Sequence, residues 1–324
     1  MTTAPPKYHE PVQGTIFHGD GREEALQKHL LQLPALQSDA TKHLSLFDRS
    51  QRVLDAIHEF GKGANRYLMS VGDTKGKQVE ELIAKRKPKL ILEVGTYVGY
   101  SGISFSRQLL EAHPDATYPA DWSSSGSSSN RAGYICLEKS EVYASTAQTA
   151  FELAGVVKAI KVLVGGSSSS IKSLRDALGL SKGQALDMIF LDHVKFLYST
   201  DIKLLESEGL IDIGTVIVAD NVVKPGNPAY LSWVRATPAQ KKASLNKPAL
   251  TEQPETTPNP PSSEWSTAFR DGPLDETRWA FPEAEGYSAP GDPSLVYKSS
   301  MLGGWDPYTQ EEDACEVSEC VGRE

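Results

Sequence analysis

Five short apolar runs, rich in β-branched residues, limit what this 324-residue chain can fold into. Each run is continuous rather than alternating, as expected for a strand that is covered on both faces. Segments with a helical pattern separate the runs, and such alternation predicts a parallel α/β sheet with right-handed crossovers. The runs are KLILEV (89–94), YICLE (134–138), IKVLV (160–164), LDMIFL (186–191) and GTVIVA (214–219).

The rest of the chain fits one domain from about 45 to 322. Residues 1–44 are polar and predict an N-terminal tail with one helix, EEALQKHLLQL. A Ser-rich stretch at about 118–132 and a Pro/Thr/Ser-rich stretch at about 236–293 predict mostly irregular surface insertions, because they contain few aliphatic residues. After the second insertion, SLVYKSSML and ACEVSECVG predict two further strands. The expected fold is a doubly wound, mostly parallel seven-stranded sheet with helices on both faces.

Composition excludes several classes of protein. The chain has 33 Lys+Arg and 42 Asp+Glu, for a net charge of −9, and such an acidic balance argues against a nucleic-acid partner. No apolar run approaches the roughly 20 residues of a membrane helix, and the N-terminus lacks the apolar core of a signal peptide. Three scattered cysteines are typical of reduced thiols rather than of a disulfide framework or a zinc site. We expect a cytoplasmic monomer with neither a nucleic-acid nor a membrane partner.

The segment LEVGTYVGYSG (92–102) predicts a glycine turn between a buried strand and a helix. Gly95 and Gly99 permit a close approach of a ligand to the backbone, and the amides near Ser101 start the helix. The spacing G-x-x-x-G differs from the dinucleotide pattern and also fits an ordinary tight turn. Glu138 ends the second strand, where a carboxylate can accept both hydroxyls of a ribose. The alternative is a solvated carboxylate at the start of the next helix.

Carboxylates also follow two later strands. Asp192 and Lys195 follow the fourth run, and Asp220 and Asn221 follow the fifth. Neighbouring parallel strands deliver such side chains to one crevice, and an all-oxygen set suits Mg²⁺. Lys195 would then be a base beside the cation. The alternative is that these residues cap the following helices.

Taken together, these segments resemble the catechol O-methyltransferase family, a metal-dependent class of S-adenosylmethionine methyltransferases with a class I, Rossmann-like fold. The resemblance covers about 55–235 and returns more weakly over 295–322. It is carried by YLMSVGDTKGK, LILEVGTYVGYS, VLVGGSSSSI, LDMIFLDHVKFLY, LLESEGLIDIGTVIVADNVVKPGNP and DACEVSECVG.

The resemblance implies a role for each matching residue. Donor-binding roles fall to Val71, Glu93, Gly95, Ser101, Glu138, Ser167, Ser168 and His193. Among these, Glu93, Gly95 and Ser101 would hold the methionine part, Glu138 the ribose, and the last three the adenine. Mg²⁺ would be bound by Asp192, Asp220 and Asn221, and Lys195 would take the proton of the hydroxyl that is methylated. The acceptor, a small aromatic diol, would contact Met69, Lys195, Asn221 and Pro225.

Three departures from the family pattern concern the acceptor side. Val194 and Tyr67 stand where tryptophan is common, and Leu302 and Gly303 stand where an acidic residue contacts the second hydroxyl. The alternatives are therefore an O-methyltransferase for a different phenolic metabolite, or a non-catalytic binding protein with the methyltransferase fold. A nucleotide-dependent oxidoreductase would have the same kind of sheet, but this sequence lacks the glycine pattern of dinucleotide-binding folds.

Overall fold

The computed structural model describes residues 19–63, 66–118, 130–245, 289–306 and 311–324. The strands are β1 (Leu90–Val94), β2 (Gly133–Glu138), β3 (Ile160–Val164), β4 (Met188–Leu191), β5 (Val216–Ala219), β6 (Leu295–Trp305) and β7 (Glu312–Arg323). The helices are α1 (Arg22–Gln32), α2 (Ser38–Thr41), α3 (Leu46–Gly61), α4 (Gly72–Arg86), α5 (Tyr100–Ala112), α6 (Glu141–Ala154), α7 (Ser167–Ala177), α8 (Tyr198–Ser207), α9 (Pro228–Val234) and α10 (Pro238–Leu245).

The seven strands form one sheet in the order β3-β2-β1-β4-β5-β7-β6. Strands β1 to β5 are parallel, whereas β7 is antiparallel to both β5 and β6. The prediction of a mostly parallel seven-stranded sheet is confirmed. The strand order reverses between β1 and β4, and ligands of open α/β sheets bind outside the carboxyl ends of the strands at such a point.

Helices cover both faces of the sheet, which explains the continuous apolar runs. Ile91 belongs to the hydrophobic cluster that α1, α3, α4, α5 and α6 also build. Its neighbour Leu92 points the other way, into the cluster shared with α7, α8 and α9. Every residue of β1 is buried, so the strand that leads to the glycine turn is fixed on both sides.

Two segments contain packed structure that the sequence pattern did not indicate. Helix α1 is packed on the domain, because Leu26 and Leu30 are fully buried and Gln27 Nε2 donates to Thr149 Oγ1 at 2.9 Å. The second insertion begins with the regular helix α10, where buried Lys241 donates to the carbonyl of Leu295 at 2.9 Å. Residues 119–129 and 246–288, on which most of the two insertion predictions fall, lie outside the described residues.

Candidate active site

The glycine turn after β1 passes directly against the turn after β4. Gly95 has φ of 93°, and a Cβ there would lie 2.5 Å from the carbonyl oxygen of Asp192. Gly99 has φ of 89°, and a Cβ there would lie 2.8 Å from the ring of Phe151. Both positions therefore require glycine, for conformation and for space. The turn brings the start of α5, with buried Ser101, to the carboxyl ends of β1 and β4.

Glu93 is a fully buried carboxylate at the end of β1. Its Oε2 accepts hydrogen bonds from Thr96 Oγ1 at 3.0 Å and from the Cys136 thiol at 3.4 Å. Its Oε1 has no partner among the described residues. Burial raises the pKa of Glu93 to about 7. An orphaned carboxylate oxygen at this depth fits a ligand that brings a cationic donor, such as the amino group of S-adenosylmethionine.

Glu138 holds the glycine turn from the end of β2. Its carboxylate accepts from the amide of Tyr97 and from the amide of Ser140, each at 2.8 Å. The helix-capping alternative does not apply, because Ser140 itself caps α6 by accepting from the amide of Tyr143. Burial raises the pKa of Glu138. The carboxylate is thus fixed beside the turn, where the resemblance puts the ribose.

Helix α1 adds contacts to this turn that no sequence motif indicated. Tyr97, a non-glycine residue with φ of 49°, donates its hydroxyl hydrogen to Glu23 Oε1 at 2.7 Å. Arg22 donates to the carbonyl of Tyr67 at 2.6 Å. The first turn of α1 therefore joins the glycine turn to the segment that precedes α4.

Asp201 on α8 fixes the side chains expected around the adenine. It accepts from Ser168 Oγ at 2.6 Å and pairs with His193 Nε2 at 2.9 Å. Burial lowers the pKa of His193, so the imidazole is neutral and its Nε2 carries the hydrogen given to Asp201. Buried His193 Nδ1 has no partner among the described residues. It is left as an acceptor, and Ser167 begins α7 beside Ser168.

Asp192 and Lys195 form a pair at the end of β4. Lys195 Nζ donates to Asp192 Oδ1 at 2.8 Å and to the hydroxyl of Tyr198 at 2.9 Å. The Tyr198 hydroxyl in turn donates to the carbonyl of Leu191 at 2.8 Å. Burial and the neighbouring charge of Asp220 raise the pKa of Asp192 to about 6, although Lys195 opposes them.

Asp220 and Asn221, at the end of β5, meet two charged residues from distant parts of the chain. Lys75 on α4 donates to Asp220 Oδ1 at 2.6 Å and to Asp313 Oδ2 on β7 at 2.5 Å. Asn221 Nδ2 also donates to Asp313 Oδ2, at 2.7 Å. Asn221 precedes the short helical segment Val222–Gly226 but its side chain makes no capping hydrogen bond. Because α9 is capped by Asn227, the capping alternative fails here too.

The predicted cation ligands are compatible with a divalent ion. Within the described ranges, no three His, Cys, Asp or Glu side chains gather as a metal site, so the candidate set is the two carboxylates and one amide. One atom of each is engaged, through Lys195, Lys75 and Asp313 respectively. The remaining atoms, Asp192 Oδ2, Asp220 Oδ2 and Asn221 Oδ1, are three oxygens of the kind that Mg²⁺ prefers.

The expected acceptor side carries exposed apolar side chains. Met69 is 38% exposed and Val194 is 50% exposed, whereas Val71 is buried at the start of α4. The side chain of Pro225 lies outside the described residues. Tyr67, which stands in place of tryptophan, donates its hydroxyl hydrogen to Asp306 Oδ2 at 3.1 Å.

The site residues that sequence reasoning missed are Glu23, Lys75, Asp201 and Asp313. A sequence signal exists for Glu23, Lys75 and Asp201, because these three residues lie on the apolar stripes of helices. Lys75 precedes buried Val79 and Ile83 at steps of four residues, and Glu23 precedes buried Leu26 and Leu30. A charged residue within an apolar stripe must find a buried partner, so each indicates an internal ion pair or hydrogen bond.

Comparisons with known proteins identify similar chains. The chain is 34% identical to catechol O-methyltransferase of Mus musculus over 228 residues, which cover 70% of this chain and 73% of that one. It is 31% identical to the Bos taurus catechol O-methyltransferase over 226 residues, 70% of each chain. An O-methyltransferase of Bacillus cereus, solved in complex with SAH, superposes with a TM-score of 0.49 at 21% identity, over 87% of this chain and 94% of that chain.

No protein-family model matches the chain. No helix within the described ranges has the length and apolar character needed to cross a bilayer. The two curated relatives, each more than 30% identical and covered over two thirds of their length, decide the assignment. The chain belongs to the catechol O-methyltransferase family, a family of S-adenosylmethionine-dependent O-methyltransferases.

Proposed function

We propose that this O-methyltransferase transfers the methyl group of S-adenosylmethionine to one of two neighbouring hydroxyls of a small aromatic diol, with Mg²⁺ as its cation. The observation that carries the proposal is the set of three oxygens, from Asp192, Asp220 and Asn221, beside the amine of Lys195. Together with the two oxygens of a diol, these three oxygens would supply the hard ligands that Mg²⁺ prefers.

The donor would occupy the crevice outside β1 and β2. Glu93 Oε1 would accept from its amino group and Glu138 from its ribose hydroxyls, while His193 Nδ1 offers an acceptor near the adenine. These residues are held by Thr96, by the glycine turn and by Asp201 before any ligand arrives. Such prior fixing supports catalysis by orientation, which can contribute on the order of 7–11 kcal/mol to lowering the barrier.

The acceptor must be deprotonated to react, because a phenolate is a far better nucleophile than a phenol. When bound, Mg²⁺ would lower the pKa of the hydroxyl that it holds. Lys195 Nζ would take the proton, the hydroxyl oxygen would form a bond to the methyl carbon, and the bond from that carbon to sulfur would break. Tyr198 and Asp192 hold Lys195 in place for this step.

The decisive experiment is a screen of aromatic diols with labelled S-adenosylmethionine, run with Mg²⁺ and again with EDTA. We expect methylated product with at least one diol, its loss in EDTA and its return with excess Mg²⁺. Full turnover in EDTA would show that the reaction does not need a divalent cation.

A different phenolic metabolite is the second candidate, and one feature favours it. A Cβ at Gly303 would meet nothing within 4 Å, so this position leaves open space where an acid would contact the second hydroxyl. Turnover of a monophenol at a rate equal to that of every diol would favour this reading. Donor binding without turnover of any phenol would favour a binding protein instead.

A further inference from the structure

Asp313 stands behind the candidate cation site and makes hydrogen bonds with both of its oxygens. Oδ1 accepts from the amides of Val223 at 3.3 Å and Lys224 at 2.9 Å. Oδ2 accepts from Asn221 Nδ2 at 2.7 Å and from Lys75 Nζ at 2.5 Å. A carboxylate offers about four lone-pair sites. With four hydrogen bonds already accepted, Asp313 does not have the free oxygen of a ligand.

The bond to Asn221 fixes which end of that side chain faces the site. The two ends of a carboxamide have nearly the same shape, but only the oxygen can bind a cation. An ionised carboxylate only accepts hydrogen bonds, so the amide nitrogen must face Asp313 and the oxygen must face away from it. The same carboxylate accepts a hydrogen bond from the backbone amide of Lys224, just after Asn221. Asn221 itself has a left-handed backbone conformation, with φ of 58°.

We propose that Asp313 is a positioning residue of the cation site, holding the amide of Asn221 so that Oδ1 rather than Nδ2 faces the cation. Lys75 joins Asp313 to Asp220, so two of the three ligands are oriented through one buried network. The inference rests on the proposed function, because it takes Asp192, Asp220 and Asn221 as the ligands. Partners of metal ligands typically change metal affinity by 10- to 100-fold when they are mutated.

A simpler role for Asp313 is to neutralise buried Lys75, and the test must separate the two roles. In Asp313→Asn, the ion pair with Lys75 is lost, and the single carbonyl oxygen that remains cannot accept from the two backbone amides and from Asn221 Nδ2 together. In the double variant Asn221→Asp/Asp313→Asn, the donor and the acceptor of the pair change places while the Lys75 contact stays lost. The net charge of the double variant equals that of the wild type. The orientation role predicts that the second change repairs the first. The neutralisation role is separated by Lys75→Met/Asp313→Asn, which has no buried lysine left to neutralise: that role predicts wild-type Mn²⁺ affinity there, whereas the orientation role predicts weak binding.

The measurement is a double-mutant cycle on the full chain, with free Mn²⁺ followed by electron paramagnetic resonance in the absence of donor and acceptor. We expect Asp313→Asn to weaken Mn²⁺ binding at least tenfold, and the double variant to return to within about threefold of the wild type. Asn221→Asp alone should not tighten binding tenfold, because one oxygen of its carboxylate would lie against the carboxylate of Asp313 and the two groups would repel each other. Additive effects within about twofold would overturn the inference.

A matched control lies three residues further along β7. Glu316 is also fully buried and accepts from Arg235 at 2.7 and 2.8 Å, but it touches no candidate ligand. Glu316→Gln should leave Mn²⁺ affinity unchanged. The affinity for S-adenosylhomocysteine, measured by calorimetry, reports whether each variant keeps the donor site.

Two further outcomes are decisive. If Asp313→Asn does not fold, Asn221→Asp alone decides, since a tenfold gain in Mn²⁺ affinity would show that Asp313 does not constrain position 221. If the wild type binds no Mn²⁺ at millimolar concentration, the result contradicts both the cation site of the proposed function and the inference. If it binds Mn²⁺ and the cycle is additive, only the inference falls.

Discussion

At the scale of single residues, the proposed role of Glu93 predicts that donor binding depends on pH. Burial raises its pKa to about 7, from an ordinary value of 4.5. The donor's amino group is cationic below about pH 7.7 and favours the ionised carboxylate. We expect the affinity for S-adenosylhomocysteine to fall roughly tenfold or more between pH 7.5 and 5.5, because few Glu93 side chains are ionised at the lower pH. Calorimetric titration of S-adenosylhomocysteine at several pH values measures this change in affinity.

Glu93→Gln is the control for that prediction, and it should bind weakly with a much flatter pH dependence. The raised pKa of Glu93 also affects the stability of the fold, but this effect changes with pH in the opposite direction to donor affinity. Since the folded state keeps a proton that the unfolded chain has released between pH 4.5 and 7, the contribution of Glu93 to stability is full below pH 4.5 and is lost as the pH rises through 7. An affinity that does not change with pH in the wild type would show that another group neutralises the donor.

Lys195 should matter for turnover far more than for donor binding. Replacing it with alanine removes the base, and such losses typically lower kcat by about 100- to 10,000-fold. Single-turnover rates and donor affinity measured on the same preparation separate the two effects. Lys203→Ala is the comparison, because Lys203 is also on this side of the sheet but lies over the ring of Trp233 at 4.3 Å. An equal loss in both variants would contradict a role as base.

The residues that could be predicted from sequence are those whose position follows from a local pattern. Asp192 and Asp220 end continuous apolar runs, so a strand must deliver them to the sheet's carboxyl edge. The partners of this pair of strand ends could not be predicted, because Lys75 contacts Asp220 and Asp313 contacts Asn221 from distant parts of the chain. Asp220 itself is 2% exposed and is paired with Lys75. Asp220→Ala should therefore destabilise the fold as well as abolish turnover.

At the scale of elements, the proposed diol acceptor would make the end of β6 the segment that determines selectivity between the two hydroxyls. The family's acceptor-binding acid would fall near Leu302 and Gly303. Of the four acids that follow, Glu312 is exposed and the other three are engaged elsewhere. Asp306 bonds Tyr67, Glu311 pairs with Lys224, and Asp313 bonds Lys75. We expect nearly equal meta and para products from a 4-substituted catechol.

Gly303→Glu tests that expectation. One hydrogen bond to a charged acceptor is worth about 1.5–3 kcal/mol, so the product ratio should change by roughly tenfold or more. The matched variant is Gly304→Glu, where a Cβ would lie 2.5 Å from Lys75 Cγ, and it should lose activity rather than gain selectivity. A wild-type ratio that strongly favours one product would mean that another group already orients the ring.

Helix α1 should contribute to stability as part of the domain. Leu30 is fully buried and its neighbour Leu31 is 53% exposed, so the two leucines form a matched pair in one helix. We expect Leu30→Ala to lower the free energy of unfolding by about 2–5 kcal/mol, and Leu31→Ala to change it by less than about 0.5 kcal/mol. Urea denaturation measures both values, and equal effects would mean that α1 does not pack as described.

At the scale of the whole molecule, three local facts converge at one place. The reversal of strand order between β1 and β4, the glycine turn beside Asp192, and the carboxylates after β4 and β5 all meet at the carboxyl edge of the sheet. The order of the parallel strands follows from ordinary doubly wound topology, which is why the fold class was predictable. The contacts of α1 and α10 were not, since packing of a helix from a polar stretch leaves only a weak local pattern.

The position of β7 also has a consequence for the order of events on the ribosome. β7 lies between β5 and β6, although it is synthesised after both. While a chain grows, its earlier parts can fold first, but β6 has no neighbour in the sheet until Glu312–Arg323 has emerged and inserted. Asp313 arrives with that same strand, so the partner of Lys75 and Asn221 is delivered in the last step of sheet assembly. On the proposed function, a nascent chain would therefore acquire its cation site only after β7 has inserted into the sheet.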